Sequence, residues 1–216
     1  MATTLRTGRL EAFSDGVFSI AITLLVLEIS VPDDAGEDLL GAVVDQWPSY
    51  LAYLVSFATI GVTWLRHTAI THYLHGTDMV LIRLNLLLLL FVAFLPFPTR
   101  LVAEHIRDRQ AERVAATILG INLLLVTVIV STMWRYAKAR RLVRPDAGDQ
   151  EVALLTKRLT PSLAGYAVLI LVGLALPAVA VIGYLAMALV LLVPFGLRTA
   201  SGSGDGDPPR DLDATS

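Results

Sequence analysis

Residues 159–197 contain no Asp, Glu, Lys or Arg at any of 39 consecutive positions. As one α-helix this run would be ~58 Å long, about twice the ~30 Å hydrocarbon thickness of a bilayer. It is too apolar for an ordinary soluble domain and too long for a single membrane crossing. It is therefore predicted to fold as a hairpin of helices over 160–176 and 178–197, with Pro177 marking the turn.

Three more charge-free stretches, at 46–65, 84–99 and 114–134, approach or reach the length of a crossing. With an opening helix, the chain reads as an all-α integral membrane protein of six transmembrane helices, approximately 11–31, 43–66, 79–98, 113–136, 160–176 and 178–197. These form one domain over 1–198, followed by a tail at 199–216 rich in Gly, Ser, Pro and Asp that is predicted to be disordered. The 55% hydrophobic content and mean hydropathy of +0.67 agree, since soluble domains hold about 45–50% apolar residues. Glu11 and Asp15 interrupt the first apolar stretch and no small-residue cleavage site closes it, so this helix is predicted to stay in the protein.

Lys and Arg set the orientation. Arg6 and Arg9 precede the first span, and Arg135, Lys138, Arg140, Arg141, Arg144, Lys157 and Arg158 follow the fourth. The loop after span 1, PDDAGED, has no basic residue, and the loop after span 3 mixes Arg100, Arg107, Arg109 and Arg113 with Glu104, Asp108 and Glu112. Both termini are therefore predicted to be cytoplasmic. Trp47, Tyr50, Tyr53, Trp134 and Tyr136 lie near span ends and read as interfacial anchors.

Several functions are disfavoured. A net charge of −2 without a basic, aromatic-studded patch gives no footprint for nucleic acid. The absence of Cys removes disulfides, thiolate metal sites and thiol nucleophiles. His67, His72 and His75 cluster at one span end, but no HExxH motif accompanies them and only Asp78 stands at ligand spacing. No GxSxG, P-loop or dinucleotide fingerprint occurs, so no enzymatic activity and no cofactor are expected.

The first span carries the most information. At 100° per residue, Phe13, Ile20, Leu24, Leu27 and Val31 form an apolar stripe beside a polar stripe of Asp15, Ser19, Thr23 and Ser30. Such a helix either packs tightly on its neighbours or lines a narrow pathway. Asp15 and Glu28 stand roughly 20 Å apart along the helix, near opposite ends of the hydrocarbon core. A carboxylate at this depth needs a partner or water, with Arg9 and Arg66 as basic candidates for Asp15. Glu28 is either an interfacial acid or a pore-mouth acid that concentrates cations.

Arg9, Phe13, Ser14 and Asp15 spell RxxxFSD at the start of this span. The motif closely resembles the signature of the endosomal/lysosomal-type transmembrane potassium channels, in their prokaryotic branch. Trp64 and His67, Asp78 and Asn85, and the LPFPT of 95–99 agree with that family, and the match runs to about residue 198. The resemblance implies a K⁺-permeable channel without a TVGYG filter, a string this chain lacks. It implies that span 1 lines a central pore, with Ile20 at a hydrophobic constriction, Thr23 as a hydroxyl ring, and Leu24 and Leu27 continuing the lining. Arg9, Phe13, Ser14, Asp15, Trp64, His67 and Asn85 are implied to be structural, anchoring span 1 to spans 2 and 3, with Arg9 or His67 expected as the partner of Asp15. The animal relatives carry two six-span repeats, so a single-repeat chain is implied to form a homotetramer in a prokaryotic cell membrane. K⁺ would be the permeant ion, with other monovalent cations discriminated only modestly. The alternative is a secondary transporter, which calls for inverted repeats and a midplane ionisable residue, or a proton pathway using His67, Asp15 and Glu28.

Overall fold

The computed structural model describes residues 7–29, 38–105, 108–146 and 161–192, together with 148, 150, 152–153 and 156–157. The tail at 199–216, most of the PDDAGED loop, Ser30, Val31, Arg6, Arg107 and Arg158 lie outside the described residues.

Among the described residues the delimited helices are, in chain order, α1 Gly8–Leu24, continued by a 3₁₀ turn Leu25–Glu28; α2 Leu39–Asp45; α3 Trp47–His72; α4 Met79–Phe94; α5 Pro96–His105; α6 Arg109–Ala139; α7 Pro161–Ala175; and α8 Pro177–Leu192. Among the described residues four segments are long and apolar enough to cross a membrane: Gly8–Glu28, Trp47–His72, Met79–His105 and Arg109–Ala139. The helices α7 and α8 have 15 and 16 residues, or about 22–24 Å each. They pack against each other across a break at Leu176, beside Pro177, with α7 on α6 and α8 on α3 and α6.

Local chemistry moves several boundaries from those the sequence predicts. The second long helix starts at Trp47 rather than 43, because the chain turns at Gln46 and Pro48 enters the first turn, where its missing N–H costs nothing. The helix also runs on to His72, past Arg66, whose guanidinium meets the Ser162 hydroxyl at 3.4 Å. At the third segment, Pro96 has no N–H to donate, so the helix breaks at Leu95 and resumes through the proline-rich stretch to His105. The Asp108 carboxylate accepts from the backbone N–H groups of Gln110 and Ala111, which starts α6 four residues early, at Arg109. Asp78 caps α4 in the same way, accepting from Leu81 N–H at 2.9 Å.

Close helix packing rests on small and hydroxylated residues. Thr59, Thr63 and Thr127 donate back to the carbonyls of Val55, Thr59 and Leu123, so their hydroxyls are satisfied within their own helices. Gly120 is required: a Cβ there would collide with the Tyr184 hydroxyl and the Ile170 side chain. Tyr184 is fully buried and reaches the Ala116 carbonyl at 3.4 Å.

At the end of the bundle where α3 meets α4, the connection 73–78 is fastened to the end of α6. Arg144 N–H donates to the Tyr73 carbonyl at 2.8 Å, His75 N–H to the Leu142 carbonyl at 3.1 Å, and the Tyr136 hydroxyl to Asp78 at 2.7 Å. Arg141 takes a left-handed φ of 55° to make the turn. Trp134, read from the sequence as an interfacial anchor, is instead buried, its indole N–H donating to the Thr156 hydroxyl at 2.9 Å. Trp47 is exposed.

Candidate functional site

The first helix divides cleanly into two faces. Ser14, Phe18, Ala21 and Leu25, spaced by four, three and four residues, are buried against the rest of the bundle. The opposite face carries Phe13, Ile20, Leu24 and Leu27, which are 57%, 61%, 42% and 70% exposed in the single chain. Thr23 lies among them, its hydroxyl directed back at the Ser19 and Ile20 carbonyls at 3.1 and 2.9 Å. A hydroxyl has one proton and two acceptor lone pairs, so Thr23 keeps acceptor capacity on the exposed face.

The buried face is fixed by polar groups from two other helices. The Ser14 hydroxyl donates to the Leu10 carbonyl at 2.7 Å and accepts from the Asn85 amide at 2.9 Å. The Asn85 oxygen lies 2.8 Å from His67 Nε2, so the network assigns the proton to that ring nitrogen. Ser14, His67 and Asn85 are all buried, and the Phe18 ring sits 5.6 Å from the imidazole. One chain of hydrogen bonds thus joins α1, α3 and α4 through buried side chains, where each unmade bond would be costly.

Asp15 differs from the expectation. Its carboxylate accepts from the Trp64 indole N–H at 2.8 Å, and among the described residues no hydrogen bond or ion pair joins it to Arg9 or His67. The reason is rotational: Asp15 is 100° around the helix from Ser14 and faces outward, where Trp64 stands one turn before His67 on α3. Arg9 is exposed and borders a groove of about 400 Å³ with Leu10, Phe13, Thr77, Ile82, Asn85 and Leu86.

Glu28 ends the 3₁₀ turn, with Oε2 at 4.0 Å from Arg100 Nε. Arg100 is held more closely by Glu104, at 2.7 Å, so this end of the helix is flanked by one basic and two acidic groups. Sequence reasoning missed this arrangement, although the i,i+4 spacing of Arg100 and Glu104 was visible. It also missed the 2.5 Å hydrogen bond between the Ser56 and Thr99 hydroxyls, which ties the last residue of LPFPT to α3. Of the histidines, His67 bonds Asn85 and His75 Nε2 lies 3.0 Å from the Arg141 carbonyl. Among the described residues no three His, Asp or Glu converge as a metal centre would require. The exposed side of α1 offers apolar side chains and the hydroxyls of Ser19 and Thr23, a surface suited to contact or permeation.

Comparison with known proteins agrees with these elements. The profile of the family described as endosomal/lysosomal potassium channel TMEM175 matches residues 9–96. A protein of Chamaesiphon minutus named as a potassium channel is 43% identical over 199 residues, covering 89% of this chain and 95% of that one. The crystal structure of a lysosomal potassium-selective channel TMEM175 homolog from Chamaesiphon minutus superposes with a TM-score of 0.78 at 38% identity, covering 86% of this chain and 95% of that one. The endosomal/lysosomal proton channel TMEM175 of Gallus gallus is 34% identical over 164 residues, covering 70% of this chain and 33% of the longer animal protein.

Proposed function

The chain belongs to the endosomal/lysosomal potassium channel TMEM175 family, a family of ion channels and not of enzymes, and on that premise we propose that it is a K⁺-permeable cation channel conducting passively along α1. The observation that carries this reading is the row Ile20, Leu24 and Leu27, exposed on a helix whose other face is locked into the bundle. One helix cannot enclose a pathway, so closed symmetry is needed to surround ions with this row. A homotetramer places four copies of α1 around an axis, with Ile20 at the narrowest ring, Thr23 offering hydroxyl oxygens, and Leu24 and Leu27 extending the lining. An apolar ring gates by dewetting when narrow.

In this reading Ser14, Asp15, Trp64, His67 and Asn85 hold α1 in register, while Arg9 and Phe13, both exposed in the single chain, lie toward its cytoplasmic end. Glu28 sits at the opposite mouth, where its charge raises the local cation concentration. The α7–α8 hairpin completes six crossings, and both termini face the cytoplasm of a prokaryotic cell. K⁺ is the permeant species, other monovalent cations pass less well, and no cofactor takes part.

The test is ion flux through the purified protein in liposomes, alongside its mass in detergent. Potential-driven K⁺ flux exceeding Na⁺ flux, from a particle of four chains, is the expected result. Flux that saturates and requires a second ion gradient would assign a transporter instead, and flux carried by protons alone would move the chain to the activity for which its animal relatives are named.

A further inference from the structure

We propose that the cleft between the start of α6 and the α7–α8 turn binds the headgroup of a phospholipid bearing a primary amine, of the phosphoethanolamine class. The cleft has a volume of about 180 Å³ and is lined by Arg109, Glu112 and Arg113 of α6 and by the turn at 175–179. Glu112 is only 6% exposed, yet its Oε1 accepts no hydrogen bond from Arg109, Arg113 or any other described group. A buried carboxylate oxygen without a donor costs several kcal/mol. The site therefore calls for a donor from outside the chain.

The surrounding chemistry selects which donor. Arg109 and Arg113 are exposed at the rim, and the wall across from them, Ala175, Leu176, Pro177, Ala178 and Val179, has no titratable group. Two arginines repel a simple cation, and the orphaned carboxylate repels a simple anion. A zwitterion satisfies both. Its phosphate meets the arginine forks, which match phosphate geometry, and its ammonium donates to Glu112. A quaternary ammonium has no N–H and cannot do so. Leu176 and Val179, 58% and 51% exposed, provide apolar surface for the adjoining glycerol and acyl segments.

The location fits a lipid. Three apolar helices end or begin here, at Arg109, Ala175 and Pro177, so the cleft lies at headgroup depth once the bundle is in a bilayer. No residue of α1 takes part, and the proposal stands or falls independently of the conduction pathway.

The experiment uses the full-length protein in detergent. Phospholipids of identical acyl chains, with ethanolamine, N-methyl, N,N-dimethyl, choline and glycerol headgroups, are titrated, and bound lipid is read by native mass spectrometry. Ethanolamine is expected to be preferred over choline about ten-fold, the order of one charge-assisted hydrogen bond. Affinity should fall along the methylation series. Glu112→Gln should shrink the ethanolamine-to-choline ratio toward unity, while Arg113→Gln should weaken both lipids and leave the ratio standing. Equal binding of ethanolamine and choline lipids by the unaltered protein overturns the proposal, as does a preference that survives Glu112→Gln. A preference for the anionic glycerol headgroup over ethanolamine also overturns it, because the arginines alone would then account for binding. Should Glu112→Gln fail to fold, the methylation series on the unaltered protein still decides the matter.

Discussion

Asn85 donates its side-chain amide to the Ser14 hydroxyl at 2.9 Å, across 71 positions of sequence, and so fastens the opening helix to α4. The oxygen of the same amide faces His67, 2.8 Å away on α3. Removing Asn85 therefore strands the buried imidazole N–H and takes from Ser14 one of its two hydrogen bonds. Asn85→Leu should destabilise the folded chain by about 1–3 kcal/mol, more than Ser14→Ala at ~1 kcal/mol, because Leu leaves the imidazole N–H without an acceptor. Thermal unfolding in detergent distinguishes the two. An unchanged midpoint in Asn85→Leu would remove the network from any structural role.

The Asp15–Trp64 bond makes a second demand. Trp64→Phe keeps an aromatic ring but deletes the N–H that Asp15 accepts at 2.8 Å. A loss of about 1–2 kcal/mol is expected, the range for a hydrogen bond to a charged group discounted for partial exposure. In an Asp15→Leu background the same substitution should cost much less, since the bond is already absent. Equal costs in the two backgrounds would show that the ring, not the N–H, is what matters.

Gly120 predicts a steric effect. Gly120→Ala places a methyl group against the Tyr184 hydroxyl and Ile170, and should cost about 1–3 kcal/mol through overpacking. Tyr184→Phe removes one of the colliding atoms and should recover part of that loss. No recovery in the double variant would mean that the tyrosine ring, or the helix spacing itself, sets the limit.

Acid stability should reflect Asp78. Burial pushes its carboxyl up, but the Leu81 N–H, the Tyr136 hydroxyl, the Val80 N–H and the Arg140 charge outweigh this and hold it below the usual carboxylate range. A group depressed in the folded state stabilises above its unfolded pKa of about 3.9, and that contribution is lost as pH falls through the folded value. Asp78→Asn should therefore unfold earlier than the unaltered protein at pH near 7, with the gap narrowing as pH falls below about 3.9. A gap that stays constant with pH would assign the effect to packing.

What the sequence made legible follows from how local each signal is. The charge-free run with Pro177 marks the α7–α8 turn, since a missing N–H acts where it stands, whereas the break at Leu95 falls inside a span read as continuous over 79–98. Periodicity found the apolar row Phe13, Ile20, Leu24 and Leu27, which lies on the exposed side of α1 together with the polar stripe, but not the buried face of Ser14, Phe18, Ala21 and Leu25. Nor did it find partners: Asp15 invited a basic neighbour by charge, yet Trp64 meets it, because helix rotation and not charge decides which side chains face. Trp134 looked interfacial by its place near a span end, but the segment that follows α6 covers it through Thr156. Glu112 looked like one charge of a mixed outer loop until the Asp108 cap drew it into the first turn of α6.

In the proposed channel the exposed row on α1 faces ions, with Ile20 at its narrowest ring. K⁺ flux into liposomes under a fixed potential, compared between the unaltered protein and Ile20→Asn at equal protein content, tests it most directly. An amide at an apolar constriction keeps the ring wet, so flux should rise, by about ten-fold if dewetting costs about 1.4 kcal/mol. Unchanged K⁺ flux in a correctly folded Ile20→Asn would mean that Ile20 faces lipid or a neighbouring helix rather than the pathway.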